Sequence, residues 1–472
     1  MNRHFPVILW AFANLALFGC VPAPVPDYDM REAQPGGGMT AGRLSERTYI
    51  VPGQNLDNAQ KLDYWTGFSL FRDPWVIAPS STTDRDGLGP LFNTRSCISC
   101  HTAGGRGDVA IEGISKPSAL VLRLGPEKDS APLTEPNYGG QLQSRAIALA
   151  HSNMAAPLQP EGKLSLSYLE VARYQIDGVD YPLMQPQYQL VDLAYGELAE
   201  GIGLSPRLAP VIYGLGLLDA ISDVDLLAQE DAQDSNEDGI SGRYNRVPDA
   251  ATGELALGRL GLKAKHPNLK QQIAAAFRDD IGITNTLFPN EACTEYQQDC
   301  RKLAESGGHE SVEIPDKLLN LVLNFSAFMA VPPARNTQSE AFLKGRQSFY
   351  QSGCASCHTP SYRTDPGYPV TALAGQTIWP YTDLALHDMG ALLADGVREH
   401  SATGTEWRTP PLWGIGLRSQ YGQQQAYLHD GRATSLVEAI LWHGGEAERS
   451  KQRFIALRTD ERQALIRFLN SI

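Results

Sequence analysis

The chain has no block of lysine or arginine, few runs that alternate apolar and polar residues, and little of the sulfur and imidazole from which reactive sites are built. Its 472 residues include seven cysteines, seven methionines and ten histidines, and the formal net charge is -13 with an isoelectric point near 5.3. Without a basic stripe there is no footprint for a nucleic-acid partner. The scarcity of alternating runs predicts a mainly α fold with long loops and minor hairpins. One ordinary core does not absorb a chain of this length, so two domains are expected.

The N-terminal apolar run, residues 5–18, is too short and too weakly flanked to span a bilayer and reads as an export signal. It closes on Leu17-Phe18-Gly19-Cys20, which resembles a bacterial lipoprotein signal whose Cys20 is lipidated and becomes the first mature residue. Ordinary cleavage nearby would still export the chain. Residues 1–19 are therefore expected to be a signal peptide. Residues 20–44, with "VPAPVPDYDM" and "AQPGGGMTAG", are expected to be a flexible tether, leaving the protein in the periplasm on an outer-membrane lipid anchor.

The few cysteines are not scattered. Beside Cys20, four form two CxxCH units, Cys97/Cys100/His101 and Cys354/Cys357/His358. The remaining two, Cys293 and Cys300 in "EACTEYQQDC", suit a small disulfide loop in an oxidising compartment, and no cysteine is left over for thiol chemistry. A CxxC pair can chelate zinc, cycle as a disulfide or add to the two vinyl groups of a porphyrin. A four-cysteine zinc site would have to join pairs from separate halves of the chain. A thioredoxin-like dithiol wants a strand before the motif in a βαβ unit, which is missing. The haem reading needs only what is present, two thiols one turn apart and an imidazole that follows them under the iron. It makes His101 and His358 iron ligands and Cys97, Cys100, Cys354 and Cys357 the thioether anchors of two covalent haem c groups.

The two motifs sit in halves with the same order of parts. "SEAFLKGRQSFYQSGCASCH" places Phe342, Gly345 and Phe349 on one face, so a helix runs into the second motif, whereas "GLGPLFNTRSCISCH" makes a looped approach to the first. Each half closes on an amphipathic helix. The first opens at Pro315 with Leu318, Leu321, Val322, Phe325 and Phe328 as its stripe; the second is capped by Thr459 with Leu465, Phe468 and Leu469 inward. "VPPARN" at 331–336 separates a haem domain at 45–333, enlarged by insertions, from a cytochrome c domain at 337–472. "APVIYGLGL" and "PPLWGIGL" echo each other, each just after an arginine, Arg207 or Arg408.

The sixth ligand decides function, because a haem with two strong ligands passes electrons while one with an open position binds peroxide. His4 lies in the signal. His151, His266, His309, His387, His400 and His429 read as surface or supporting groups; His443, which ends a helix beside Ile440, Leu441 and Trp442, is either hydrogen-bonded core or a ligand.

From Gly345 onward, "GCASCHTP", "RTPPLWGIGL", "YLHDGRATSLVEAILWHGG" and "ERQALIRFLNSI" resemble the C-terminal domain of bacterial dihaem cytochrome c peroxidases. Over residues 45–472, "GPLFNTRSCISCH", "YGGQLQSRAI", "DSNEDGISGRYNRV", "LGRLGLKAKHPNLKQQIAAAFRDDIGIT" and "HDMGALLADG" resemble the dihaem oxidoreductase family, also labelled thiol oxidoreductases. The resemblance implies two cytochrome c-like haem domains. The peroxidases place a ligating methionine, and related maturation enzymes a tyrosine, where this chain has His443. It thus implies His443 as sixth ligand of the His358 haem, with Met389 as the rival. It also implies a reactive N-terminal haem with His101 behind the iron. The distal histidine of the peroxidases is missing from "HTAGGRGDVAIEG", which leaves that position open unless His151 or Met154 fills it. The acid/base group is not identified.

Arg95, Arg408 and Arg432 lie beside the haem motifs and suit haem propionates or plain surface charge equally. Trp407, Trp413 and Trp442 are relay or packing residues near the second haem. Asp234, Asn236, Asp238 and Gly239 have the spacing of a calcium loop, although Asn245 at its twelfth position excludes a full EF-hand. The peroxidases hold calcium between their domains, so a structural ion or a polar turn both suit. The expected activity is reduction of hydrogen peroxide at the N-terminal haem. Electrons enter at the C-terminal haem from a small soluble cytochrome or cupredoxin, and the acidic surface suits a basic donor. The alternatives are an electron-transfer or redox-sensing protein without turnover and an oxidase of an organic or protein substrate.

Overall fold

A computed structural model describes the chain outside residues 1–24, 44–48, 110–118, 129, 148–156, 307–311 and 422–423. Cys20, His151, Met154 and His309 lie outside the described residues. The principal elements are α1 (Asn58–Arg72), β1 (Leu120–Pro126), β2 (Lys163–Ile176), β3 (Val179–Val191), β4 (Ile202–Leu208), α2 (Asp316–Ala327), α3 (Glu340–Gln351), α4 (Leu436–Trp442) and α5 (Thr459–Ser471).

Two helix crossings organise the fold, α1 on α2 and α3 on α5. A capping box starts α1: the Asp57 carboxylate accepts from the Gln60 amide and the Gln60 side chain from the Asp57 amide. Ser339 caps α3 by accepting from the Phe342 amide. Both crossings are closed by a glycine, since a Cβ on Gly67 would strike the Leu321 carbonyl and one on Gly345 the Ala464 carbonyl. One turn further on, Phe71 meets Phe325 with centroids 4.8 Å apart, and Phe349 meets Phe468 at 5.4 Å. The halves therefore repeat one packing unit. As expected, α3 runs directly into the second CxxCH. In the first half residues 73–96 intervene between α1 and its motif, which hid α1 from the sequence pattern. Within α2 the buried stripe is Leu319, Val322 and Phe325 rather than one through Leu318 and Leu321. The flank that caps α5 is Arg458, with Leu465, Phe468 and Leu469 inward.

The expectation of a mainly α chain is corrected: 30% is helix and 19% strand, in scattered small sheets. Gln141–Leu142, β1 and β4 form an antiparallel sheet in which Leu120 faces Leu208 and Pro126 faces Ile202. The larger departure is a long antiparallel arm, β2 paired with β3 from Lys163–Val191 to Ile176–Val179. It turns at Asp177-Gly178, both with positive φ (52° and 79°), as a two-residue hairpin requires. Its first strand opens on a short alternating run, Lys163 to Tyr168, but much of the arm is exposed on both faces, and Pro182 and Pro186 in the second strand read as strand breakers.

The halves interlock. At the arm's tip, Ile176 and Leu183 enter the core of the second half. There Asp177 accepts from Arg462 Nε and Nη2 at 3.0 and 2.9 Å and from Thr459 at 2.7 Å. In return Tyr362, Leu373, Leu384 and Trp413 lie in the first core. Residues 25–43 are not a tether. Glu32 is buried and accepts from Arg346 Nε and Nη2 at 3.0 and 2.7 Å. Val331 bonds back to Met39 and Ala41, so the start of "VPPARN" is pinned as well. The expected disulfide joins Cys293 to Cys300.

Because both crossings close on backbone, Gly67→Ala and Gly345→Ala should each destabilise the holoprotein by at least about 2 kcal/mol through overpacking. Thermal or denaturant melts check this, and an exposed control such as Gly140→Ala, where no atom lies within 4 Å of an added Cβ, should not match the loss.

Candidate functional site

Each CxxCH begins with a single 3-10 turn, Cys97–Ser99 or Cys354–Ser356. The histidine amide bonds back to the carbonyl of the first cysteine, at 2.9 Å for His101 and 3.0 Å for His358. This local winding puts both thiols and the imidazole on one side of the turn. Phe71 from α1 and Phe349 from α3 then pack on the imidazoles of His101 and His358, at 6.2 and 6.4 Å.

His101 Nδ1 is 2.8 Å from the Pro210 carbonyl, and His358 Nδ1 is 2.9 Å from the Tyr381 carbonyl. A carbonyl only accepts, so each Nδ1 carries the proton and each Nε2 keeps its lone pair. Burial holds both imidazoles below the ordinary histidine pKa, His358 at about 4 with repulsion from nearby His443 contributing. They are neutral at pH 7, the form that binds a metal. His443, at the C-cap of α4, repeats the arrangement: Nδ1 is 2.7 Å from the Ala439 carbonyl, and burial lowers its pKa.

The other histidines differ. His387 spends both nitrogens on carboxylates, Nε2 on Asp383 at 2.8 Å and Nδ1 on Glu446 at 2.6 Å. His429 stacks on Trp407 with centroids 3.9 Å apart. His266, expected at the surface, is 4% exposed and its Nδ1 has no partner among the described residues. Met389 is partly buried beside the second core, and its carbonyl backs onto Gly444, next to His443.

Burial pushes the Cys97, Cys100 and Cys354 thiols up to about 12 and raises Cys357 as well. Thiols that stay protonated are not the thiolates of a redox dithiol. Among the described residues no three His, Cys, Asp or Glu side chains gather where a metal ion could be held.

Residues 32–472 match the model of a family described as "Di-haem oxidoreductase, putative peroxidase". The chain belongs to the di-haem oxidoreductase family. No curated protein matches it. A solved structure, "Kuenenia stuttgartiensis Hydrazine Synthase Pressurized with 20 bar Xenon", matches at 19% identity over 38% of this chain, which spans 62% of that one, with a TM-score of 0.23. So low a score carries no argument.

The residues of this di-haem oxidoreductase fit the group its family name implies: two thiol pairs, each followed by a neutral imidazole whose Nε2 is free to ligate. A bonded chain links the two imidazoles. From Pro210 the backbone runs to Tyr213, whose hydroxyl donates to the Trp413 carbonyl at 3.2 Å. The neighbouring Leu412 amide donates to the Pro380 carbonyl at 2.8 Å, one residue before Tyr381. These are the echoed loops, and they meet reciprocally: a Cβ on Gly214 would strike the Trp413 ring and one on Gly414 the Tyr213 hydroxyl.

The arginines singled out from sequence are largely engaged. Arg95 Nε donates to the Trp75 carbonyl at 3.0 Å, Arg408 to Gly261 and Thr409 at 2.8 and 3.0 Å, and Arg432 to Asp430. In the candidate calcium loop the side chains serve their own turn: Asp234 accepts from the Gly239 amide, Asn236 from Asp238 and Asp238 from Ile240. Trp413 and Trp442 are buried, and their Nε1 atoms have no partner among the described residues. Sequence reasoning missed Asp280, on a π-helical turn (Phe277–Ile281), whose charge reaches both Cys97 and Cys100. Burial raises it to about 6, and Gln141 Nε2 donates to it at 2.8 Å. Only the tertiary fold brings it to the first motif; no local signal marks it.

His387 holds two acids together beside Cys357, whose sulfur is 3.7 Å from Nδ1. Burial opposes its charge, but its hydrogen bonds to Asp383 and Glu446 raise its pKa above the usual value. Its stabilisation is therefore full below the unfolded pKa of about 6.5 and declines as pH rises through the folded value. His387→Gln should cost about 3 kcal/mol near pH 6, and the gap to wild type should narrow in alkaline melts.

Proposed function

We propose that this di-haem oxidoreductase is an exported c-type cytochrome that reduces hydrogen peroxide at the haem held by Cys97, Cys100 and His101. Electrons come from a small soluble cytochrome or cupredoxin that docks at the haem held by Cys354, Cys357, His358 and His443. One observation carries the reading: His358 has a second carbonyl-anchored imidazole, His443, within electrostatic reach, which suits a low-spin electron-accepting haem. Bound haem supplies one-electron chemistry at iron, passing electrons when two strong ligands hold it and taking peroxide where a position is open.

The protein's own part is to position, insulate and protonate. Pro210 and Tyr381 fix the imidazole tautomers, and the loop contact of Tyr213 with Trp413 offers a bonded route between them. Converting one peroxide to two waters consumes two electrons and two protons. Asp280, with its pKa near 6, is the acid–base candidate beside the first motif. The net charge of -13 favours a basic donor. The Leu17-Phe18-Gly19-Cys20 signal supports contact with the outer membrane through lipid on Cys20; no helix among the described residues is long and apolar enough to cross a membrane.

Purified protein should show two covalent haems by pyridine haemochrome, with one high-spin and one low-spin ferric signal in EPR. Two low-spin haems with no reaction toward peroxide would overturn the enzymatic reading. His443→Met should raise the midpoint potential of the low-spin haem, since thioether ligation favours the ferrous state. Asp280→Asn should lower kcat for peroxide about a hundredfold with haem content unchanged.

A further inference from the structure

Arg106 and Arg418 come from opposite halves, and neither finds a partner for the inner part of its guanidinium. Nε and Nη2 of both are buried and bonded to nothing among the described residues. Arg418 is 4% exposed; its Nη1 donates to the Ala426 carbonyl, and the group lies 5.4 Å from the centroid of the Tyr427 ring. Arg106 lies just past the first motif, in "HTAGGRGD".

Their segments lie together: the Val109 amide donates to Gln424 Oε1 at 2.9 Å, and Val109 and Ala426 both pack where a Cβ on Gly431 would point. Arg418 is among the charges that lower the Arg106 pKa, with Asp430 acting the other way. Asp430 is within electrostatic reach of Arg106, but its oxygens already accept from Arg432 Nε at 3.0 Å, Arg432 Nη2 at 2.8 Å and Tyr188 at 3.1 Å. Asp108 acts on Arg418 without a hydrogen bond and is exposed. Buried charged donors left unpaired cost several kcal/mol each, so a fold that keeps two of them side by side calls for an anion. The guanidinium fork, with parallel N–H groups, matches a carboxylate.

We propose that Arg106 and Arg418 form a carboxylate seat on the seam between the halves, filled by a propionate of the haem attached at Cys97 and Cys100. The position of Arg106 just past His101 favours that source; a free small carboxylate shares the chemistry. The propionate assignment rests on the covalent-haem reading above, whereas the seat itself does not. With a propionate in place, a cofactor attached to the first half is also gripped by Arg418 of the second, so haem loading locks the halves together. Arg106, brought down to about 9 by burial and by Arg418, is still a cation at pH 7, and an anion in the seat offsets both causes.

The test uses full-length holoprotein with Arg106→Gln, Arg418→Gln and, to guard against misfolding, the charge-keeping Arg106→Lys and Arg418→Lys. Pyridine haemochrome on each sample counts haem, so a failure of the covalent-haem reading shows separately. If a propionate fills the seat, spectroelectrochemistry should show the midpoint potential of one haem falling in each Gln variant, less so in the Lys variants, with the other haem unmoved. If a free carboxylate fills it, the potentials should hold, and succinate should bind wild type by calorimetry with at least tenfold weaker affinity in each Gln variant. Folded, fully loaded Gln variants with wild-type potentials, together with no succinate binding to wild type, would overturn the seat.

Discussion

Backbone meets backbone where Gly67 faces Leu321 and Gly345 faces Ala464, and the chemistry of this protein hangs on those two contacts. Only a helix pair that approaches this closely brings the next turn's aromatics, Phe71 and Phe349, against the imidazoles of the two CxxCH motifs. The imidazoles in turn lean on the carbonyls of Pro210 and Tyr381, which fix the tautomer that leaves Nε2 available. A side chain at either glycine would push on all of these at once, because packed interiors transmit displacement rather than absorb it.

The second constraint is mutual burial of the halves. The arm formed by β2 and β3 places Ile176 and Leu183 in the far core, while Trp413 crosses the other way to pack on Gly214. Neither half buries its apolar surface without the other, so the geometry between the two CxxCH motifs is set by side-chain packing rather than by the linker at 331–336. The charge pairs at the seam fit this picture. Glu32 with Arg346 and Asp177 with Arg462 each tie a segment of the first half to a helix of the second.

Much of the site was legible in the chain. CxxCH is local chemistry, so its two copies and their histidines could be read directly, as could α3 leading into Cys354 and the disulfide of Cys293 with Cys300. His443 stood out because a histidine ending an apolar helix needs a partner. The misses have physical causes. Helix α1 lies behind residues 73–96 and carries no motif of its own. The arm is largely exposed on both faces and its second strand carries two prolines, so the alternation of "KLSLSY" and the turn signal of "IDGV" were passed over. Residues 25–43 have the proline and glycine of a tether, yet buried Glu32 and Met39 pin them down.

What the sequence determined by itself is therefore the pair of CxxCH motifs and the repeated order of parts that frames them, since both are written in residues adjacent along the chain. Only the tertiary structure decided which histidines use one nitrogen and which use two, that Asp280 stands by the first motif, and that Nε and Nη2 of Arg106 and Arg418 are buried with no partner among the described residues. Those outcomes depend on groups separated by hundreds of positions, and their protonation and pairing follow from burial, which exists only once the halves have closed on each other.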